Sequence, residues 1–366
     1  MKNITPLDLS DSVVQRLCSL YDSYGYTKYK MSKFEEYDLY SKNKDFLIAD
    51  EVITFNDGGR LLALKPDVTL SIIKNCETFS SFCQKLYYNE KVYRPSGETH
   101  SFREITQTGL ECIGEIDLYT LCEVLSLAAK SLSSVSDDYV IDVGHVGILD
   151  RAFVACGIEG GLREKLTALI GEKNLHELRG ICVSSGVSEA DIERVSLFIT
   201  EHGRADDVLP VFERAFPGDS DAFDELRYAL TFANSESGKE RLSVDFSVIA
   251  SAGYYNGAVF KGYVRGCADA ALSGGQYGNL VKRMGKDADA LGFAVYVDEI
   301  VKSSSKPKEY DADAVILYDG GTDIEKLKKE TEKYRQKYGR VLVERSIPEA
   351  FRAKETVDLR TNGGAK

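Results

Sequence analysis

Three polar side chains recur at every fourth position of one alternating run: Arg103, Gln107 and Glu111 in FREITQTGLEC. From Phe102 to Cys112 the period is two, so these three share a face with Ile105, Gly109 and Ile113. Phe102, Glu104, Thr106, Thr108, Leu110 and Cys112 take the other face, which is strand spacing rather than helix spacing. A guanidinium, an amide and a carboxylate along one strand are costly to bury unless a polar ligand or partner meets them. A second chemical cluster sits in LALKPDVTLSIIKN. Pro66 ends a strand, Asp67 suits a helix cap, and Leu70, Ile72 and Ile73 begin an apolar helical face. Asp67 and Thr69 would then stand at a strand-to-helix corner, where an acidic side chain and free backbone donors can meet an ammonium group. Each cluster also has a plainer reading: a hairpin solvated on both sides, and an aspartate that only caps its helix.

The elements that must position these residues follow from pattern. Leu86 to Tyr93 is an aromatic-rich strand that would pair with Phe102 to Cys112 across a loop holding Pro95, Gly97, Thr99 and Ser101. Leu7 to Tyr24 reads as a helix, and Tyr26 to Met31 as an extended segment. A hairpin spans Glu51 to Leu64 around the turn Asn56-Asp57-Gly58-Gly59. Asp117 opens an amphipathic helix to about Leu132, with Leu118, Leu121, Cys122, Leu125, Ala128, Ala129 and Leu132 on one stripe. Strand signals recur at Tyr139 to Val143, Leu242 to Val248, Tyr254 to Val264 and in LGFAVYVDEIV. Between them, from about 148 to 235, helix follows helix, which reads as an insert rather than a second sheet domain.

KSSSKPK, Lys302 to Lys308, is linker-like, so the chain divides into a core of 1–302, a linker of 303–309 and a small α/β unit of 310–366. In that last unit Ala314 to Tyr318, Arg340 to Glu344 and Thr356 to Leu359 read as strands. Thr322 with Glu325 reads as a capping box for a helix with the stripe Ile324, Leu327, Tyr334 and Tyr338.

Composition narrows the chemistry. The 366 residues carry a net charge of -12, which argues against a broad nucleic-acid footprint. Apolar content of 43% and charged content of 28% suit a water-exposed globular chain, and no apolar run approaches membrane-spanning length. The eight cysteines form no C-x-x-C pair and read as reduced, buried thiols of a cytoplasmic protein. Four histidines in no ligand-like spacing give no metal site.

Four segments, in order, resemble the core of class II histidyl-tRNA synthetases over roughly residues 5 to 302. LALKPDVT is similar to the family's L-R-P-E-x-T corner, and VYRPSGETHSFREITQTGLECIG to its strand-loop-strand motif. GYYNGAVFKGY is similar to the histidine-binding Y-Y-x-x-x-x-F-E segment. LSGGQYGNLVKRMG and LGFAVYVDEI are similar to the G-G-R-Y and terminal motifs. The resemblance implies an α+β fold, an antiparallel class II synthetase-like sheet flanked by helices. It also implies a histidine site in which Asp67 and Thr69 hold the α-amino group, Arg94 and Gln107 lie near the carboxylate, and Glu111, Tyr254 and Tyr255 contact the imidazole.

The departures point away from synthesis. Ala250, Gln276 and Glu299 stand where the family carries arginines, and attack on the α-phosphate of ATP needs positive charge. The resemblance is then to a synthetase-like relative without ATP chemistry, the regulatory subunit of short-form ATP phosphoribosyltransferase, whose D-x-G-H-V-G-I is similar to IDVGHVGIL. His145 in that run reads as a buried turn residue. This resemblance implies no catalytic residues and no cofactor. It implies assembly with the catalytic subunit, self-association as a dimer through the segment of Ser32 and Glu35, and L-histidine as a ligand. Specific tRNA reading is not expected. The other readings are a divergent histidyl-tRNA synthetase and a stand-alone histidine- or tRNA-sensing pseudo-synthetase.

Overall fold

The computed structural model describes residues 9–46, 52–77, 82–95, 101–218, 220–251, 255–304 and 310–361. In chain order it begins with α1 (Leu9–Ser23), β1 (Thr27–Lys28), β2 (Phe34–Glu36) and α2 (Tyr37–Ser41). Then come β3 (Thr54–Asp57), β4 (Arg60–Leu64), α3 (Thr69–Asn75), β5 (Gln84–Pro95), β6 (Phe102–Gly114), α4 (Leu118–Ser133) and β7 (Tyr139–His145). Six helices follow without an intervening strand: α5 (Val146–Ala155), α6 (Gly160–Gly171), α7 (Leu175–Ser184), α8 (Glu189–Thr200), α9 (Ala205–Ala215) and α10 (Ser220–Ser237). The large unit closes with β8 (Leu242–Val244), β9 (Ala258–Val264), β10 (Leu272–Gln276), α11 (Gly278–Arg283), β11 (Asp289–Tyr296) and α12 (Val297–Ser304). The chain forms two compact units, Met1–Ser303 and Ser304–Lys366.

An eight-stranded sheet, in the order β1-β5-β6-β11-β10-β9-β7-β8, is the frame of the large unit. Its six inner strands are antiparallel neighbours, and only the edge pairs β1–β5 and β7–β8 are parallel. The sheet is therefore mixed, with the expected antiparallel centre. One face is sealed by α1 and α4. Leu17, Tyr21, Leu121, Leu125 and Leu132 meet Leu110, Phe260 and Phe293 in a continuous core. The Tyr21 hydroxyl shares a hydrogen bond with Ser131 Oγ at 2.9 Å, so burying this phenol leaves no polar group unmatched. The helical insert shares that core: the rings of Phe198 and Phe212 lie 4.9 and 4.8 Å from that of Phe246.

The hairpin reading of the Leu86 and Phe102 segments holds for pairing, with Glu90 opposite Gln107 and Leu86 opposite Glu111. Solvation on both sides does not hold. Strand β6 is buried from Gln107 onward, because β11 pairs along its other edge. Two expected strands are shorter than their pattern. The alternation from Leu242 to Val248 stops at Val244 and becomes a 3-10 turn over Phe246–Ser251, whose apolar residues pack down onto the sheet. The run LGFAVYVDEIV turns from β11 into α12 at Val297, where Asp298 accepts a 2.7 Å hydrogen bond from the Thr106 N–H.

The small unit is a parallel sheet, β12 (Ala312–Leu317) between β13 (Val341–Glu344) and β14 (Ala353–Asp358), with α13 (Ile324–Lys337). The capping box expected at Thr322 and Glu325 does not form. Asp323 caps α13 by accepting from Lys326 N at 2.7 Å, while the Thr322 hydroxyl donates to Asp319 and to the Leu359 carbonyl. Ile324, expected on the buried stripe, is 77% exposed.

A side chain at Gly109 would collide with backbone. Its Cβ would fall 2.1 Å from the Phe293 carbonyl oxygen and 2.7 Å from the Tyr88 hydroxyl. Gly109→Ala should therefore destabilise the large unit by about 1–3 kcal/mol, the usual cost of overpacking. Thermal unfolding would measure the loss, and an unchanged midpoint would contradict the tight β6–β11 contact.

Candidate functional site

On the sheet face opposite α1 and α4, strands β6, β11 and β10 form the floor of a cleft enclosing about 400 Å³ of atom-free space, its open mouth included. Only about 40 Å³ of it is enclosed room for a water-sized molecule, so the cleft is narrow and its walls stand close together. Asp67, Thr69, Arg94, Gln107, Glu111 and Tyr255 all line it, so six of the seven residues expected from the sequence converge here. The seventh, Tyr254, lies outside the described residues. Arg103, on the same strand face as Gln107 and Glu111, is exposed and stands away from the cleft.

The corner forms as its residue types dictate. Proline cannot donate to the ladder, and after Pro66 the chain turns into α3 at Thr69. Asp67 accepts from Leu70 N at 2.9 Å, so it does cap the helix, and it also faces the cleft. Burial raises its pKa, against the lowering pull of the Arg94 guanidinium and of backbone N–H donors. Arg94 is 8% exposed. Its Nε donates to the Pro66 carbonyl at 2.8 Å, and a terminal nitrogen stands 4.0 Å from Asp67. One guanidinium thus ties β5 to the corner.

Glu111 is the deepest charge-bearing group of the cleft, 2% exposed. Its Oε1 accepts from the Thr69 hydroxyl at 2.9 Å, and its Oε2 accepts from the Tyr277 hydroxyl. Gly292 leaves the space: a Cβ there would fall 1.8 Å from Glu111 Oε2. Burial pushes the Glu111 pKa up to about 8, although the two hydroxyl donors pull it down, and Asp67 adds a further push upward. Two acids thus stand side by side in the cleft, and burial raises the pKa of both. A ligand N–H or ammonium group brings the charge or donor that this pair lacks.

The sequence missed much of the wall. Tyr88, Ser273, Tyr277, Phe293, Ala294 and Tyr296 also line the cleft. Tyr277 was in view inside the GGQYG segment, where a tyrosine following two glycines was the available signal. Tyr88 and Tyr296 lie in aromatic strands and give no such cue. Gln276 and Glu299 are turned to structure. Gln276 Oε1 accepts from Ala258 N at 2.7 Å, and Glu299 pairs with Lys302 at 2.5 Å. His145 is at the end of β7, as a turn histidine should be, and burial lowers its pKa to about 4 with help from Arg151.

Residues 8–300 match the histidyl-tRNA synthetase family. The ATP phosphoribosyltransferase regulatory subunit of Clostridium kluyveri is 30% identical over 304 residues, 78% of this chain and 76% of that protein. The chain belongs to this family of synthetase-like regulatory subunits. The regulatory subunit of Oceanobacillus iheyensis is 25% identical across 84% of the chain and 78% of its own length. Among solved structures, an ATP phosphoribosyltransferase regulatory subunit/histidyl-tRNA synthetase from Bacillus halodurans superposes with a TM-score of 0.78 at 20% identity, covering 96% of this chain and 94% of that one. A chain of the ATP phosphoribosyl transferase complex from Thermotoga maritima gives 0.63 at 21% identity, covering 79% and 97%. These two structural likenesses carry the fold, and the class II synthetase-like α+β architecture is the family's.

The raised Glu111 pKa has a consequence for stability. In the unfolded chain the carboxyl titrates near its ordinary value of 4.5, and in the folded one at about 8. Between those values the folded state binds the extra proton, so this group's contribution falls as pH rises and levels off above about 8. Glu111→Gln, neutral throughout, should gain stability relative to the native chain between pH 6 and 8.5. Melting curves at both pH values would show it, and parallel profiles for the two proteins would exclude a protonated Glu111.

Proposed function

We propose that this chain is the non-catalytic regulatory subunit of ATP phosphoribosyltransferase in the first step of histidine biosynthesis. It assembles with the short-form catalytic subunit, pairs with a second copy of itself, and takes L-histidine in the cleft. Asp67 and Thr69 receive the α-amino group, Gln107 and Arg94 lie toward the carboxylate, and Glu111 with Tyr254 and Tyr255 meets the imidazole.

One observation carries the reading. The cleft has an acidic, hydroxyl-lined side suited to an amino acid and, among the described residues, a single lining cation, Arg94, which is already tied to the Pro66 carbonyl and the Asp67 carboxylate. Adenylate formation develops negative charge on phosphate, and fixed cations must meet it. Here Gln276 is neutral and bonded to backbone, and Glu299 is an acid already paired with lysine. The names of the relatives support the same role, and so does the acidic net charge of -12, which disfavours an RNA-binding surface.

Co-expression with a short-form ATP phosphoribosyltransferase from the same cell should yield a stable complex with a higher rate than the catalytic subunit alone. Failure to co-purify and to alter that rate would overturn the proposal. The purified chain should show no histidine-dependent exchange of pyrophosphate into ATP, and measurable exchange would make it a ligase instead. Glu111→Gln should weaken histidine binding by about tenfold, the worth of one hydrogen bond, and leave assembly intact. Calorimetry reads the first effect and size-exclusion chromatography the second.

A further inference from the structure

The open face of the large sheet carries a lysine that makes no ion pair among the described residues, just beyond the cleft. Strand β9 alternates: Ala258, Phe260 and Val264 lie in the helix-side core, while Val259, Lys261 and Tyr263 lie on the opposite face. Val259 packs with Tyr255, which is a wall of the cleft. The register partner of Lys261 on β10 is Ser273, another wall residue, whose Oγ is 2.7 Å from the Tyr296 hydroxyl at the rim. Cross-strand partners share a face and stand in side-chain contact, so Lys261 roots directly behind this rim.

Among the described residues no hydrogen bond or ion pair reaches the Lys261 ammonium. Its other register partner, Asp142 on β7, shares the face and makes no ion pair with it, accepting instead from the Ser243 hydroxyl at 2.7 Å. Burial lowers the Lys261 pKa, and no neighbouring charge offsets it. A half-buried, unmatched ammonium is unfavourable, and an anion beside it removes the penalty. The cleft has the complementary shortage. An α-amino acid brings a carboxylate into a space lined by Asp67 and Glu111, and the lining cation there, Arg94, is already committed to the corner.

We infer that Lys261 is a further ligand-binding residue, whose ammonium reaches over the Ser273–Tyr296 rim to the α-carboxylate of the amino acid in the cleft. The inference rests on the amino-acid reading of the cleft and adds to it the group that distinguishes an amino acid from the matching amino alcohol. A carboxylate placed there accepts a charge-assisted hydrogen bond, and Lys261 selects for it without touching the imidazole end.

The test is calorimetry on the full chain with L-histidine and with L-histidinol, which keeps the ring and the amine and replaces the carboxylate with a hydroxymethyl group. The native chain should prefer histidine. Lys261→Met should weaken histidine about tenfold and leave histidinol unchanged, so that the preference collapses. Lys261→Arg should keep most of it, and Lys261→Gln serves if the methionine variant melts early. Equal weakening of both compounds, or of neither, overturns the role of Lys261 while the cleft reading stands. Absence of binding by the native chain to either compound overturns the cleft reading, and this inference with it.

Discussion

A carboxyl group buried in the middle of an antiparallel sheet is the constraint from which the rest of this site follows. Glu111 projects from β6 into space that β11 leaves open only because residue 292 has no side chain. Burial without partners would be prohibitive, and two hydroxyls from different parts of the chain meet it: Thr69 at the start of α3 and Tyr277 just after β10. The corner, the central hairpin and the glycine-rich element are thus held to one another through a single acid. Moving any of them would leave a buried acceptor or a buried hydroxyl unmatched, which typically costs about 1–3 kcal/mol per group.

Charge separates this cleft from one that handles nucleotides. Its acids are deep and its arginine is already bonded to the corner. A polyphosphate would meet two deep acids and this committed arginine. The residues that would otherwise reach it take structural work: Gln276 completes a backbone bond at the start of β9, and Glu299 stays on its own helix with Lys302.

Much of this frame was legible in the sequence. Period-two alternation from Phe102 to Cys112 placed Gln107 and Glu111 on one face, and the proline and aspartate at 66 and 67 marked the corner, because both signals depend on local backbone geometry. Arg103 obeys the same alternation and still lies outside the cleft, since the strand runs past the edge of the neighbouring β11 and its end is exposed. Alternation likewise overran the true strand ends at Val244 and Tyr296. There the apolar residues are needed in a turn and a helix, which spacing over so few residues cannot distinguish. Thr322 had the right neighbours for a capping box, but the Leu359 carbonyl and Asp319 claimed its hydroxyl, a contact between positions far apart in the chain.

By itself the sequence determined the two-part organisation of its pattern, the helical run between strands, the strand face bearing Gln107 and Glu111, and the absence of arginine at Gln276 and Glu299. Those are properties of residue type and near-neighbour spacing. Only the tertiary structure decided that Tyr88, Tyr277 and Tyr296 complete the wall, that burial raises the pKa of Glu111, and that Lys261 stands behind the rim with no bonded partner among the described residues. Each depends on which strands become neighbours and on how much water they exclude, and such long-range pairing leaves no period in the chain.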